Sequence, residues 1–333
     1  MQYDYIILGG GFYGCMIAQN LKGKVLILER EDDILKRASC NNQARIHNGY
    51  HYPRNFKTAY SSHKNYRKFL NDFPEACTET NIMLYPVAKG GKTDAQTFKR
   101  MYERVGSVLF PAPKELKDHF NMDLLEEVFI GEEAVFNSDI LRDLIKARLD
   151  NVEIRMQVEI EQIFLNQIRT SVGDFEGTHI ISCLYAGTNP LLIKSNLPPL
   201  PLVHENTVMP LIEVPDPFKE LGITIMDGDY FSVFPFPSKN CHSIHHVKYT
   251  PLGGEWEDIY KDVIRFIPAL KDMKHIGDVK EVKTILEQNA YDDGRPILMK
   301  QNYGFKGFSV ILGGKLDNIY DLLEPTSESN IMS

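Results

Sequence analysis

Tyr5-Ile6-Ile7-Leu8-Gly9-Gly10-Gly11-Phe12-Tyr13-Gly14 is the stretch that decides how this chain folds. Four consecutive apolar residues suit a strand buried on both faces of a parallel sheet. The glycines follow at once, and Cys15, Ile17, Ala18 and Leu21 then recur at helical spacing until Gly23 stops the helix. A second apolar run, Val25-Leu26-Ile27-Leu28, ends in the acid Glu29. Strand, Gly-x-Gly-x-x-Gly, helix, strand and acid in this order form a dinucleotide-binding fingerprint in its structural context; without that context the glycines would read only as a flexible turn. Gly9 permits the tight turn, Gly11 lets the backbone approach a pyrophosphate, and Gly14 lets the helix pack on the strand. The N–H groups opening the helix, with Gly10, Phe12 and Tyr13 among the turn residues, suit phosphate oxygens. Glu29 can accept hydrogen bonds from ribose hydroxyls, and its charge disfavours a 2′-phosphate.

The fingerprint by itself leaves FAD and NAD open. In nicotinamide enzymes further strand and helix units normally follow directly. Here the chain leaves that pattern after Arg30, and residues 31–60 read as polar, histidine-rich and irregular. Within them lies Arg37-Ala38-Ser39-Cys40-Asn41-Asn42-Gln43-Ala44-Arg45-Ile46-His47-Asn48-Gly49-Tyr50-His51-Tyr52-Pro53. This stretch resembles the D-amino-acid oxidase-like superfamily of FAD-dependent oxidoreductases, most closely its L-2-hydroxyglutarate oxidase and glycerol-3-phosphate dehydrogenase branch. The resemblance implies FAD, with Ser39, Asn41 and Asn42 in the loop after the acid and the Ile46–Tyr52 stretch running under the flavin ring. It also implies that the backbone of Val158 meets adenine and that Ala186-Gly187 ends a strand beside the nucleotide. Asp293-Gly294-Arg295-Pro296 matches the family's Gly-x-Arg-Pro turn, and residues 304–314 return the chain to the pyrimidine edge of the flavin. Lys315, where relatives carry small residues, departs from the pattern; it reads as a cation stabilising reduced flavin, or as a solvated lysine.

The implied fold is α/β: a discontinuous Rossmann-like FAD-binding domain (1–80, 140–200 and 285–325) with an interleaved α+β substrate domain (81–139 and 201–284) and a flexible tail (326–333). Strands are expected over 81–88, 211–213, 230–235 and 243–249, helices over 94–105 and 256–266, and a rigid crossing at Pro198-Pro199-Leu200-Pro201.

The chemistry needs a hydride acceptor, which FAD supplies, and a group that takes the substrate's proton. His47 and His51 are the candidates, since imidazole titrates near neutrality; the structural alternative is that they only brace the loop. Arg295 is the candidate anchor for a substrate carboxylate, with Arg45 and Arg54 as alternatives, because a guanidinium forks onto a carboxylate. On the stretch His245-His246-Val247-Lys248-Tyr249, alternation puts His245, Val247 and Tyr249 on one strand face and His246 and Lys248 on the other, so the two histidines are no metal pair.

Composition narrows the partners. The chain has 333 residues, enough for about two domains at roughly 150 each. A formal net charge of -8 disfavours nucleic acid, including an RNA substrate. No apolar stretch approaches the ~20 residues of an integral membrane segment. Cys15, Cys40, Cys77, Cys183 and Cys241 are scattered, lack metal spacing and read as reduced thiols. With no signal-peptide pattern at its start, the chain is expected to be cytoplasmic. The expected activity is oxidation of a C–OH or C–N bond in a small polar molecule, foremost a 2-hydroxy acid, with oxygen or an electron carrier as the second partner. An NAD-dependent dehydrogenase and a flavin-fold binding protein without turnover are the rival readings.

Overall fold

A computed structural model describes residues 2–78, 82–287 and 296–323. The chain forms two units, each discontinuous in sequence. One comprises Met1–Cys40, Ile140–His204 and Lys283–Ser333, the other Asn41–Asp139 and Glu205–Val282.

The first unit is built on Gln2–Leu8, which runs parallel to both Val25–Leu28 and Gly173–Ser182. Glu153–Arg155 extends the sheet in parallel beyond Val25–Leu28. The far edge of Gly173–Ser182 is shared: its first residues pair with the hairpin strand Gln167–Thr170, and Ile180–Ser182 pair in parallel with Phe308–Leu312. Parallel strands are covered on both faces, which is why Val25–Leu28 is wholly buried and apolar. Ile6, Leu8, Leu26, Leu28, Ile180 and Val310 form the core of this Rossmann-like α/β unit.

The second unit carries an eight-stranded sheet in the order Lys274–Leu286, Leu202–Glu213, Cys241–His246, Phe231–Phe236, Leu221–Thr224, Ile82–Ala88, Leu125–Gly131, Leu109–Pro111. Side chains alternate across it. One face packs Leu84, Ile223, Val233 and Ile244 against Ile259 and Val263 of the helix Trp256–Phe266. The other face is aromatic, with Tyr85 and Phe234 meeting Tyr50, Phe98 and Tyr102. Each such buried large side chain contributes roughly 1.5–3 kcal/mol. A small second sheet joins Arg45–Ile46, Ala134–Phe136 and Cys77–Thr78.

Three features depart from the sequence reading. Residues 41–78 lie in the second unit, because Arg45–Ile46 and Cys77–Thr78 both pair with Ala134–Phe136 of that unit. Helix Phe56–Asp72 begins inside the stretch expected to be irregular; Asn55 caps it by accepting the Thr58 N–H at 3.0 Å. Its buried face includes Ser62 and Asn65 beside Tyr66 and Phe69, so hydropathy does not reveal it. The crossing at 204/205 falls within the strand Leu202–Glu213, while the proline stretch stays in the first unit, where Asn189 donates to and accepts from the Leu200 backbone.

Candidate active site

In the first unit the end of Gln2–Leu8 turns at Gly9, whose φ of +100° lies in the region that glycine tolerates. The helix Phe12–Ala18 then passes so close to the strand that a Cβ on Gly14 would collide with the Gly9 carbonyl oxygen. Glu29 leans back over this turn. Its Oε2 accepts the Gly10 N–H at 2.5 Å and its Oε1 accepts the Glu31 N–H at 2.8 Å, which aims the carboxylate and leaves further lone pairs on both oxygens. Ser39 Oγ accepts the Phe12 N–H at 2.9 Å, taking up one of the donors at the start of the helix. Val158 closes on the same place, its N–H donating to the Glu29 carbonyl at 2.9 Å. Ala186 and Gly187 lie in a 3₁₀ turn, Tyr185–Gly187, just after Cys183, whose N–H bonds the Leu8 carbonyl. Arg30 points away and pairs with Glu31 at the surface.

The second glycine cluster meets the first here. Tyr13 donates its hydroxyl to the Lys315 carbonyl at 2.7 Å and occupies the space that a Cβ on Gly313 would need. Burial, with Asp317 nearby, holds the Tyr13 phenol well above its ordinary pKa. Lys315 is not the solvated lysine that was one of its two readings. Its side chain is 5% exposed and its Nζ lies 3.1 Å from the equally buried Asp317 carboxylate.

In the second unit the antiparallel register of the small sheet sets Arg45 opposite Val135 and Ile46 opposite Ala134. Carrying that register one step further brings His47 to Glu133, which lies in the two-residue link between Leu125–Gly131 and Ala134–Phe136. Glu133 Oε2 accepts from Arg45 Nε at 2.5 Å, while Oε1 accepts the Asn48 N–H at 3.1 Å and lies 3.5 Å from His47 Nδ1. Both charged side chains of the Arg45–Glu133 pair are almost wholly buried. Arg45 also donates to Thr224 Oγ1 at 2.9 Å and to the Tyr85 hydroxyl at 2.8 Å, with the Phe234 ring 3.9 Å from its guanidinium carbon. Burial alone would raise the Glu133 carboxyl, but Arg45, His47 and Tyr85 hold it well below the usual range.

His51 sits beside His47, ring centres 5.3 Å apart, and both contact Tyr52. Its Nδ1 is buried without a hydrogen-bond partner among the described residues. Desolvation first, then the charge of Arg45 and the proximity of His47, push its pKa well below the ordinary value, so it is neutral at physiological pH. The cross-strand neighbours Thr224, Ser232 and His245 complete this face, Ser232 donating to Gln43 Oε1 at 2.8 Å. His246 points to the opposite face, where it lies 3.1 Å from Asp262 and packs its ring at a tilt against Tyr249. The strand ends at His246, so Tyr249 turns back onto that histidine instead of sharing the face of His245.

Thus Gly9, Gly10, Gly14, Glu29, Ser39 and Val158 gather at one turn, whereas Asn41 and Asn42 belong to the second unit. There Asn41 donates to Glu281 and Asn42 accepts the Ala44 N–H. Arg295 lies outside the described residues. Arg45 cannot serve as the carboxylate anchor, because its charge is consumed by Glu133 in the interior; Arg54 is bound to Asp227 at 2.8 Å. Glu133, Thr224, Ser232 and Tyr85 were not singled out from sequence. No local pattern marks Glu133, because the pairing of Ala134–Phe136 with Arg45–Ile46 that brings it to His47 joins segments far apart in the chain. Burial drives the thiol pKa of Cys183 up to about 12 and that of Cys15 higher still, so neither is a ready nucleophile. Among the described residues no cluster able to hold a metal ion gathers, and no helix is long and apolar enough to cross a membrane.

Comparisons with known proteins agree with this architecture. The chain is 24% identical over 341 residues to the FAD-dependent monooxygenase FPY4 of Fusarium mangiferae, covering 94% of this chain and 87% of that protein. It is 30% identical over 115 residues to the L-2-hydroxyglutarate dehydrogenase of Indibacter alkaliphilus, a match spanning 33% of this chain and 27% of that protein. Its fold is similar to that of glycine oxidase from Geobacillus kaustophilus, with a TM-score of 0.77 at 14% identity over 96% of this chain and 90% of that one. The family model described as DAO, FAD dependent oxidoreductase, matches residues 4–314 and decides between the two dinucleotides. A flavin-dependent enzyme, this chain belongs to the DAO family of FAD-dependent oxidoreductases.

Proposed function

We propose that the enzyme oxidises the C–OH bond of a small 2-hydroxy acid, with His47 and His51 handling the proton released from the hydroxyl. The observation that carries this reading is the pair of neighbouring imidazoles in the loop after Arg45, beside the buried Glu133 carboxylate that pairs with Arg45. The partial likeness to a dehydrogenase named for a 2-hydroxy acid supports the substrate class.

The first unit fits the cofactor. The Gly9–Gly14 turn bears no Cβ where a pyrophosphate would lie against the backbone, and Glu29 is oriented to accept ribose hydroxyls. Gly9, Gly10, Gly11, Phe12, Tyr13, Gly14, Glu29, Ser39 and Val158 would hold FAD, which when bound supplies the two-electron acceptor for the substrate's hydride. The remaining tasks fall to side chains. An imidazole takes the hydroxyl proton, and neutral His51 offers one donor and one acceptor to orient the substrate. Arg295 is the guanidinium proposed to bind the substrate carboxylate.

Anaerobic mixing of the flavin-loaded enzyme with panels of 2-hydroxy acids, 2-amino acids and sugar alcohols tests this. Bleaching of the flavin absorbance by 2-hydroxy acids is expected. Bleaching by amino acids alone would move the reaction to a C–N bond, and no bleaching by any compound would refute the substrate class.

A further inference from the structure

We infer that Glu133 is the positioning residue of this site, selecting His47 over His51 as the imidazole that takes the substrate's proton. This rests on the reading proposed above and adds to it a division of labour between two histidines that the sequence treats alike. The geometry that separates them is asymmetric. Neither Nδ1 makes a hydrogen bond among the described residues, but the Glu133 Oε1 atom, itself fixed by the Asn48 N–H, lies at ion-pair distance, 3.5 Å, from His47 Nδ1, and among the described residues no carboxylate stands at that distance from His51. A carboxylate on the Nδ1 side favours the tautomer with its proton there, so the lone pair of His47 sits on Nε2. It also stabilises the imidazolium formed once that nitrogen is protonated.

The balance is that of an alcohol oxidation. The O–H bond breaks and its proton goes to His47 Nε2. The C–H bond breaks with its electron pair, for which FAD, when bound, would be the two-electron acceptor, and the carbon–oxygen double bond forms. Arg45 has no contact with substrate in this scheme. Fixed by Glu133, Thr224, Tyr85 and Phe234, it keeps Glu133 ionised in a place where burial would otherwise protonate it. The charged and titratable groups bearing on the two histidines are Arg45 from the small sheet, Glu133 from the link, Tyr52 from the loop, Tyr85 from the large sheet and His245 from its hairpin. Of these, Glu133 is the carboxylate that meets His47; its charge also favours protonation of His51, but there burial, Arg45, His47 and His245 outweigh it.

The test is an NMR titration of histidine-labelled enzyme, which does not depend on turnover. His47 is expected to titrate at higher pH than His51, and Glu133→Gln should lower the His47 midpoint by about one pH unit or more. Because a lone Arg45 left in the interior can unfold the protein, the companion variant is Glu133→Gln with Arg45→Met, which removes both charges at once. In that double variant the separation should narrow to the part that desolvation of His51 sets by itself, and the acid limb of flavin reduction should move with the His47 midpoint. Identical midpoints for the two histidines in the native enzyme, or a separation of unchanged size in the double variant, would overturn the role of Glu133. If the titrations behave as expected and no 2-hydroxy acid bleaches the flavin, Glu133 keeps its place and the substrate assignment is what fails.

Discussion

The glycine turn of the first unit and the histidine cluster of the second solve different physical problems. At Gly9–Gly14 the requirement is backbone shape, and six consecutive residues meet it: one left-handed φ, one place where no Cβ fits, and the opening N–H groups of a helix. Around His47 the requirement is charge compensation in a dry interior, and the compensating carboxylate lies 88 residues from Arg45 along the chain. A site made of backbone is written locally. A site made of buried charge exists only when distant strands pair.

The largest expected effect tests the local half. Gly14→Val drives a side chain into the Gly9 carbonyl, so the purified protein should lose its flavin, seen as loss of visible absorbance at unchanged protein concentration. Retained flavin in a folded Gly14→Val protein would show that the turn is looser than its packing implies.

On the distant half, His47→Asn keeps the ring contacts in part but removes the proton acceptor, and should slow flavin reduction by about 10²–10⁴-fold. Arg45→Met, which leaves Glu133 buried without its cation, should cost about 3–5 kcal/mol in denaturant unfolding. Adding Glu133→Gln should recover much of that loss, because two neutral side chains replace the pair.

His242 is a control on the same large sheet, buried yet without a carboxylate partner; its Nε2 faces the Leu221 carbonyl. Desolvation lowers its pKa to about 4, partly opposed by backbone hydrogen bonds. Its folded value is below the unfolded one near 6.5, so the unfolded chain binds the extra proton. Its contribution is therefore complete above pH 6.5 and is lost as pH falls toward 4, to a limit of about 3 kcal/mol. His242→Gln should flatten this part of the stability curve. An unchanged acid limb would place the sensitivity elsewhere.

Ser39→Ala is the mildest change. It leaves the Phe12 N–H without its hydroxyl acceptor and should cost about 1 kcal/mol of stability, together with weaker flavin retention.

Much of the fold was legible in sequence for identifiable reasons. The strands Gln2–Leu8 and Val25–Leu28 are continuous apolar runs, and the helices Ala95–Val105 and Trp256–Phe266 carry their apolar residues at helical spacing. Asp94 caps the first of these helices through the Thr97 N–H, and Gly106 in a left-handed conformation ends it. Helix Phe56–Asp72 escaped because its buried face uses Ser62 and Asn65. The boundary between the units was placed too late, after residue 80, because the pairing that draws Arg45–Ile46 to Ala134–Phe136 leaves no local mark.

By itself the sequence determined the dinucleotide turn, the acid that follows it, the α/β class and the loop that carries the two histidines. These depend on backbone conformation and on the period of apolar residues, both properties of neighbours in the chain. Only the tertiary structure decided that Arg45 is consumed by Glu133, that Lys315 is bound to Asp317, and that His246 faces Asp262 while His245 shares a face with Ser232. The reason is that the ionisation and role of a buried side chain follow from which charge stands within a few ångströms, and strand pairing, not sequence proximity, sets that distance.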